Sequence, residues 1–228
     1  MIKENFSFSK WILLCFFFIA LLIGVRIYYS GSIRFLFLVW NLFLAWCPYL
    51  ISLCFKKTNF QTPGLRVLLL TGWLIFFPNA LYIITDIIHL KDNAPIPLWY
   101  DAVLLFTCSF AGLALAFASL ANVEFFLQNI LRKKFMMPVI IFFLFLSSFG
   151  VYLGRFLRWN SWDIIHSPLD IAADIANRFL FPFSHSRTWM VTGMLTCLYT
   201  LCWLFIKTVP HPTPGHKKTD SHEPAVFV

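Results

Sequence analysis

Six apolar runs set the limits on what this chain can fold into. They fall near residues 11–29, 33–55, 65–85, 99–121, 135–157 and 188–206, separated by short polar stretches. A helix needs about 20 apolar residues to cross the roughly 30 Å hydrocarbon layer, and each run supplies them. In that layer every backbone N–H and C=O must be satisfied within the segment itself, so spans of this kind are helical. The expected class is all-α, an integral membrane six-helix bundle. Composition excludes the alternative: 60% of the 228 residues are hydrophobic, 28 are Phe, and only 12% are charged. No soluble core of this length encloses so much aromatic surface. The first run has Lys3 and Lys10 ahead of it, as a signal peptide would, but lacks a small-x-small cleavage site and reads as a retained anchor.

The placement of basic residues predicts an orientation. With the N-terminus inside, one side receives Lys3, Lys10, Lys56, Lys57, Arg66, Arg132, Lys133, Lys134, Lys207, Lys217 and Lys218, and the other receives Arg26, Arg34, Lys91, Arg155, Arg158, Arg178 and Arg187. The second side also holds Asp86, Asp92, Asp101, Asp163, Asp170 and Asp174. The positive-inside rule then makes both termini cytoplasmic. The formal charge of +8 is accounted for by this asymmetry rather than by nucleic acid. Three segments are expected: a cytoplasmic tail over 1–10, the transmembrane domain over 11–206, and a disordered cytoplasmic tail over 207–228.

On the outward side, Ser167-Pro168-Leu169-Asp170 reads as an N-cap, a first-turn proline and a capping-box acid. It predicts a short helix to about Phe179 lying on the membrane surface between spans five and six. The third run ends in Phe76-Phe77-Pro78-Asn79-Ala80-Leu81-Tyr82-Ile83-Ile84-Thr85-Asp86-Ile87-Ile88-His89. Asn79, Tyr82, Asp86 and His89 are three, four and three residues apart, which puts them on one helical stripe. Pro78 cannot donate to the carbonyl of Leu74, so a kink and a cavity or a neighbouring helix are expected there. Asn41, Asn79, Thr107, Ser109, Ser148, Thr192 and Thr196 lie at similar depths, as a pocket lining or as interhelical glue. Ser109, Gly112, Ala116 and Ser119 in span four, and Ser147, Gly150 and Gly154 in span five, predict that these two spans pack closely on each other.

An ionisable group in a span costs a few kcal/mol (about 2.5–3.5 at its centre), so Asp86, Asp101, Arg155 and Arg158 must be paired or in water. Three readings stand side by side. The arginines form a bidentate clamp for a phosphate or carboxylate; or Asp86, His89, Asp101, Asp163 and His166 serve as acid-base groups or ligands of a divalent metal; or the four charges only neutralise one another. No tight ligand spacing such as H-E-x-x-H occurs. The six cysteines, Cys15, Cys47, Cys54, Cys108, Cys197 and Cys202, sit in apolar runs with no C-x-x-C pair, which predicts buried thiols rather than disulfides or a zinc site. Neither a metal nor another cofactor is expected.

The blocks Phe77-Pro78-Asn79-Ala80 with Tyr82-Ile83 and Thr85-Asp86, Leu98-Trp99-Tyr100-Asp101, and Gly154-Arg155-Phe156 with Arg158-Trp159-Asn160-Ser161-Trp162-Asp163 resemble those of an uncharacterised family of bacterial multi-pass membrane proteins, domain of unknown function 1361. The resemblance covers nearly the whole chain except its tails and implies a bacterial envelope protein, with no activity attached. Leu81 stands where the family pattern leads one to expect a proline, leaving a single kink.

The resulting expectation is a protein of the bacterial cytoplasmic membrane that meets membrane lipids and no nucleic acid, its oligomeric state open. It would bind an anionic group, a lipid head or envelope precursor, in an outward-facing polar pocket. Arg155 and Arg158 would hold the anion, with Asp86, His89, Asp101, Asn79, Tyr82, Asn160 and Asp163 around them. An intramembrane enzyme using Asp86 or His89, and an assembly subunit without pocket chemistry, are the alternatives.

Overall fold

A computed structural model describes residues 2–55, 62–90, 96–159 and 163–209. It gives eight α-helices: α1 (Ile2–Ser30), α2 (Phe37–Cys54), α3 (Pro63–Tyr82), α4 (Leu98–Leu127), α5 (Lys133–Phe156), the single turn α6 (Asp163–His166), α7 (Pro168–Leu180) and α8 (Ser186–Thr208). A 3₁₀ segment, Ile83–His89, continues α3 directly. Six of these elements are long and apolar enough to cross a membrane, and α7 lies between the fifth and sixth spans, as the sequence predicts. The protein is an all-α, integral membrane six-helix bundle.

The spans alternate in direction, which sorts the ionisable groups to two ends. At one end Arg26 of α1 pairs with Asp101 of α4, and Arg155 of α5 with Asp86 of the 3₁₀ segment. At the other, Lys207 of α8 pairs with Glu124 of α4, and the Asn122 amide donates to the Ser52 hydroxyl at 2.9 Å. Apolar side chains such as Leu13, Phe17, Phe106, Phe142 and Met194 are exposed along the spans, and lipid rather than water is their solvent.

The centre of the bundle is α3. Trp73 and Phe77 are fully buried, stacked with ring centroids 4.4 Å apart, and the Trp73 indole N–H donates to the Ser119 hydroxyl of α4 at 3.2 Å. The two small-residue faces were expected to meet each other; instead each meets α3, from opposite sides. A Cβ built on Gly112 of α4 would lie 3.0 Å from the Ala80 carbonyl oxygen, and one on Gly150 of α5 would lie 3.0 Å from Pro78. Small residues mark where a backbone approaches closely, not whose backbone it is, so the third span takes the place expected of a direct contact between the fourth and fifth.

Pro78 leaves the helix continuous, and the departure from α geometry comes one turn later, where Tyr82 passes into the 3₁₀ segment. Carbonyls near this transition find side-chain donors. The Tyr199 hydroxyl of α8 donates to the Leu81 oxygen at 3.1 Å, and the Ser109 hydroxyl to the Ile83 oxygen at 3.3 Å. Pro48 of α2 and Pro138 of α5 likewise lie inside continuous helices.

Surface helix α7 turns Asp174 and Arg178 inward and leaves Leu169, Phe179 and Leu180 exposed. The Trp159 indole donates to Asp174 Oδ2 at 2.7 Å, and Phe179 touches Phe149 of α5 and Trp189 of α8. Exposed Leu169, Phe179 and Leu180 beside inward Ile171, Ile175 and Arg178 suit a helix resting on the interface.

Candidate functional site

The polar stripe predicted for the end of the third span is present, and three of its four residues surround Arg155. Its Nη2 pairs with Asp86 Oδ1, its Nε donates to the Thr85 hydroxyl at 2.8 Å, and its Nη1 lies 3.2 Å from His89 Nε2. Because a guanidinium only donates, that His89 nitrogen is the acceptor in this contact. The guanidinium carbon stands 4.0 Å over the Tyr82 ring, a cation–π contact. The 3₁₀ geometry serves this arrangement: with three residues per turn, Asp86 and His89 eclipse, and one guanidinium reaches both. Asp86 is 1% exposed, and its second oxygen accepts from the Asn41 amide of α2 at 2.9 Å.

Asp101 stands apart from this group. Its carboxylate takes both forks of Arg26, Nε to Oδ1 at 2.7 Å and Nη2 to Oδ2 at 3.1 Å, and the guanidinium lies 4.2 Å from the Phe35 ring centroid. The Tyr100 hydroxyl donates to the Leu22 carbonyl at 2.7 Å and fastens α1 to α4 a second time. The expected cluster of Asp86, Asp101, Arg155 and Arg158 does not form: Asp86 pairs with Arg155, Asp101 pairs separately with Arg26, and Arg158 joins neither pair. Among the described residues no three His, Cys, Asp or Glu side chains come together, so the proposed metal-ligand set of Asp86, His89, Asp101, Asp163 and His166 is not assembled.

Arg158 behaves differently again. It ends α5 in a left-handed conformation, φ 64°, with the Leu157 and Trp159 N–H groups both donating to the Leu153 carbonyl at 3.2 Å. Its side chain is exposed and forms no ion pair among the described residues. A bulky residue at positive φ costs about 1–2 kcal/mol relative to the right-handed region. Asp163 begins α6, half-buried, and Asn160 lies outside the described residues.

Beside the Arg155 group is a cavity of about 300 Å³. It is lined by α3 (Leu74, Ile75, Pro78, Asn79, Tyr82), α2 (Trp40, Asn41, Leu44), α5 (Gly150, Val151, Leu153, Gly154), Trp159, and Ile171 and Ile175 of α7. The glycines of α5 let its backbone come close to Pro78 and Tyr82 at the edge of this space. Of the polar layer expected across the bundle, only Asn41 and Asn79 line it. Ser148, Thr107 and Thr196 donate to carbonyls of their own helices, as hydroxyls in apolar helices commonly do. Two wall residues touch the charged group directly: Asn41 holds Asp86, and Tyr82 lies under Arg155.

Thr85, Asn41 and Arg26 are the contacts that reading the sequence missed as partners. Arg26 was findable, as an arginine inside an apolar run that had to meet an acid.

A family model described as a protein of unknown function, DUF1361, matches residues 40–202. The chain belongs to the DUF1361 family. No curated protein and no solved structure matches it. The region matched to DUF1361 contains Asp86, Asp101, Arg155 and Arg158 but begins after α1, so Asp101 receives its buried partner from outside that region.

Proposed function

We propose that this DUF1361 protein binds an anionic group, a lipid head or envelope precursor, where the cavity meets the charged end of the bundle. The observation carrying this reading is Arg158. It is an exposed guanidinium, without an ion pair among the described residues, held at positive φ next to Trp159, which lines the cavity. The left-handed residue closes the C-terminus of α5 and fixes where this guanidinium's side chain begins. A guanidinium fork matches phosphate or carboxylate bidentately.

The two arginines take different parts. Arg158 contacts the anion, while Arg155, committed to Thr85, Asp86 and His89, acts as a positioning residue behind Tyr82. The pocket is amphipathic rather than polar, since most of its lining is aliphatic. With the basic sides of the short loops inward, the protein sits in a bacterial cytoplasmic membrane, both termini cytoplasmic, and the Arg158 end faces outward.

The test is binding of the purified protein to nanodiscs of phosphatidylcholine with and without an anionic phospholipid. A charge-assisted hydrogen bond contributes about 1.5–3 kcal/mol, so Arg158→Gln is expected to weaken the preference for the anionic lipid about tenfold or more. Arg158→Lys should retain part of it. Unchanged preference in Arg158→Gln counts against the proposal.

A further inference from the structure

The occupant's route is written in which cavity residues are exposed. Trp40 and Ile75, on the α2 and α3 sides of the groove, are 51% and 40% exposed, although both lie within membrane spans. At that level the groove opens sideways. A site for a water-soluble precursor would be walled from hydrocarbon; this one has lining residues of two spans exposed at membrane depth, and Trp159, Ile171 and Ile175 belong to the same lining.

From this geometry we infer that the groove holds one membrane lipid, an anionic phospholipid that enters from the bilayer between α2 and α5, over α3. The reading rests on Arg158 as the anion contact. One acyl chain lies along Leu74, Ile75 and Pro78, and the phosphate lies under the end of α7 at Arg158. Charge complementarity suggests this direction: the exposed cation Arg158 is the chain neighbour of Trp159, which lines the groove, and Leu44, Leu74 and Ile75 make another part of the lining aliphatic. Asn41 adds a polar group to the lining. One of its two amide N–H groups goes to Asp86, which leaves the second N–H and the side-chain oxygen for a polar group of the lipid near its phosphate.

Native mass spectrometry of the full chain, extracted in mild detergent, reads out the occupant directly. The wild type is expected to carry one anionic phospholipid. Ile75→Trp, which fills the groove from a partly exposed position, should lower the lipid-bound fraction at least tenfold. Ile171→Trp, filling it from α7, should act alike and serves if the first variant does not fold. Val67→Trp, exposed on the same helix outside the groove, should leave the bound fraction unchanged. Lipid retention that survives both filling variants, or that Val67→Trp reduces as strongly, overturns the inference. A lipid displaced by Ile75→Trp but of unchanged head composition in Arg158→Gln supports the groove and refutes the anion contact.

Discussion

Replacing Arg155 by Met keeps much of the side-chain stem and removes every polar contact the guanidinium makes. Asp86, 1% exposed, is then left with the Asn41 amide as its partner among the described residues, and Thr85 and His89 each lose a donor. Breaking a buried pair by removing one member costs about 3–5 kcal/mol, and the lost contact with Tyr82 adds about 0.5–1 kcal/mol. The expected destabilisation of Arg155→Met is therefore about 3.5–6 kcal/mol. Replacing both partners removes the stranded charge, so Asp86→Leu with Arg155→Met should cost less than Arg155→Met alone. The assay is reversible unfolding in mixed micelles by titration with SDS, followed by tryptophan fluorescence, and closed as a double-mutant cycle. Additivity of the two single changes within about 0.5 kcal/mol would show that they do not interact and would refute the reasoning.

Other consequences are separable. Gly112→Ala must push against the Ala80 carbonyl and Ile83 and should destabilise by about 1–3 kcal/mol in the same titration, whereas Gly193→Ala, with open space around it, should gain about 0.5–1 kcal/mol. Arg26→Gln strands Asp101 and should loosen α1 from α4, seen as a loss of crosslinking between cysteines placed at positions 22 and 100; undiminished crosslinking argues that aromatic contacts alone hold α1. Arg158→Gly relieves the left-handed strain and should raise stability by up to about 1 kcal/mol while lowering anion preference, and a drop in stability contradicts the strain argument. A single cysteine at His89, in a background without the native cysteines, should react with an impermeant thiol reagent in intact cells; labelling only after lysis refutes the assigned orientation.

The spans were legible because lipid demands some 20 apolar residues in a row, and that demand is written locally. The stripe Asn79, Tyr82, Asp86, His89 was legible for the same reason, since helical spacing is a property of neighbours. Partners were not. Asp101 and Arg26 are 75 positions apart, and nothing near either one selects the other. The glycine faces announced close approach, yet only the fold shows that α3 lies between them. The 3₁₀ ending of the third span also escaped notice: its residues suit an α-helix, and it is Arg155, Asn41, Ser109 and Tyr199 that engage this stretch of backbone and side chain.

The claim on which the account turns is that the space between α2, α3 and α5 is a lipid site. An experimental structure in a lipid nanodisc containing an anionic phospholipid tests it most directly. The account predicts elongated density along Leu74, Ile75 and Pro78, ending in a head group within hydrogen-bond reach of Arg158. A groove closed by Trp40 against Gly154, or one holding no density while lipid is ordered elsewhere around the bundle, contradicts it.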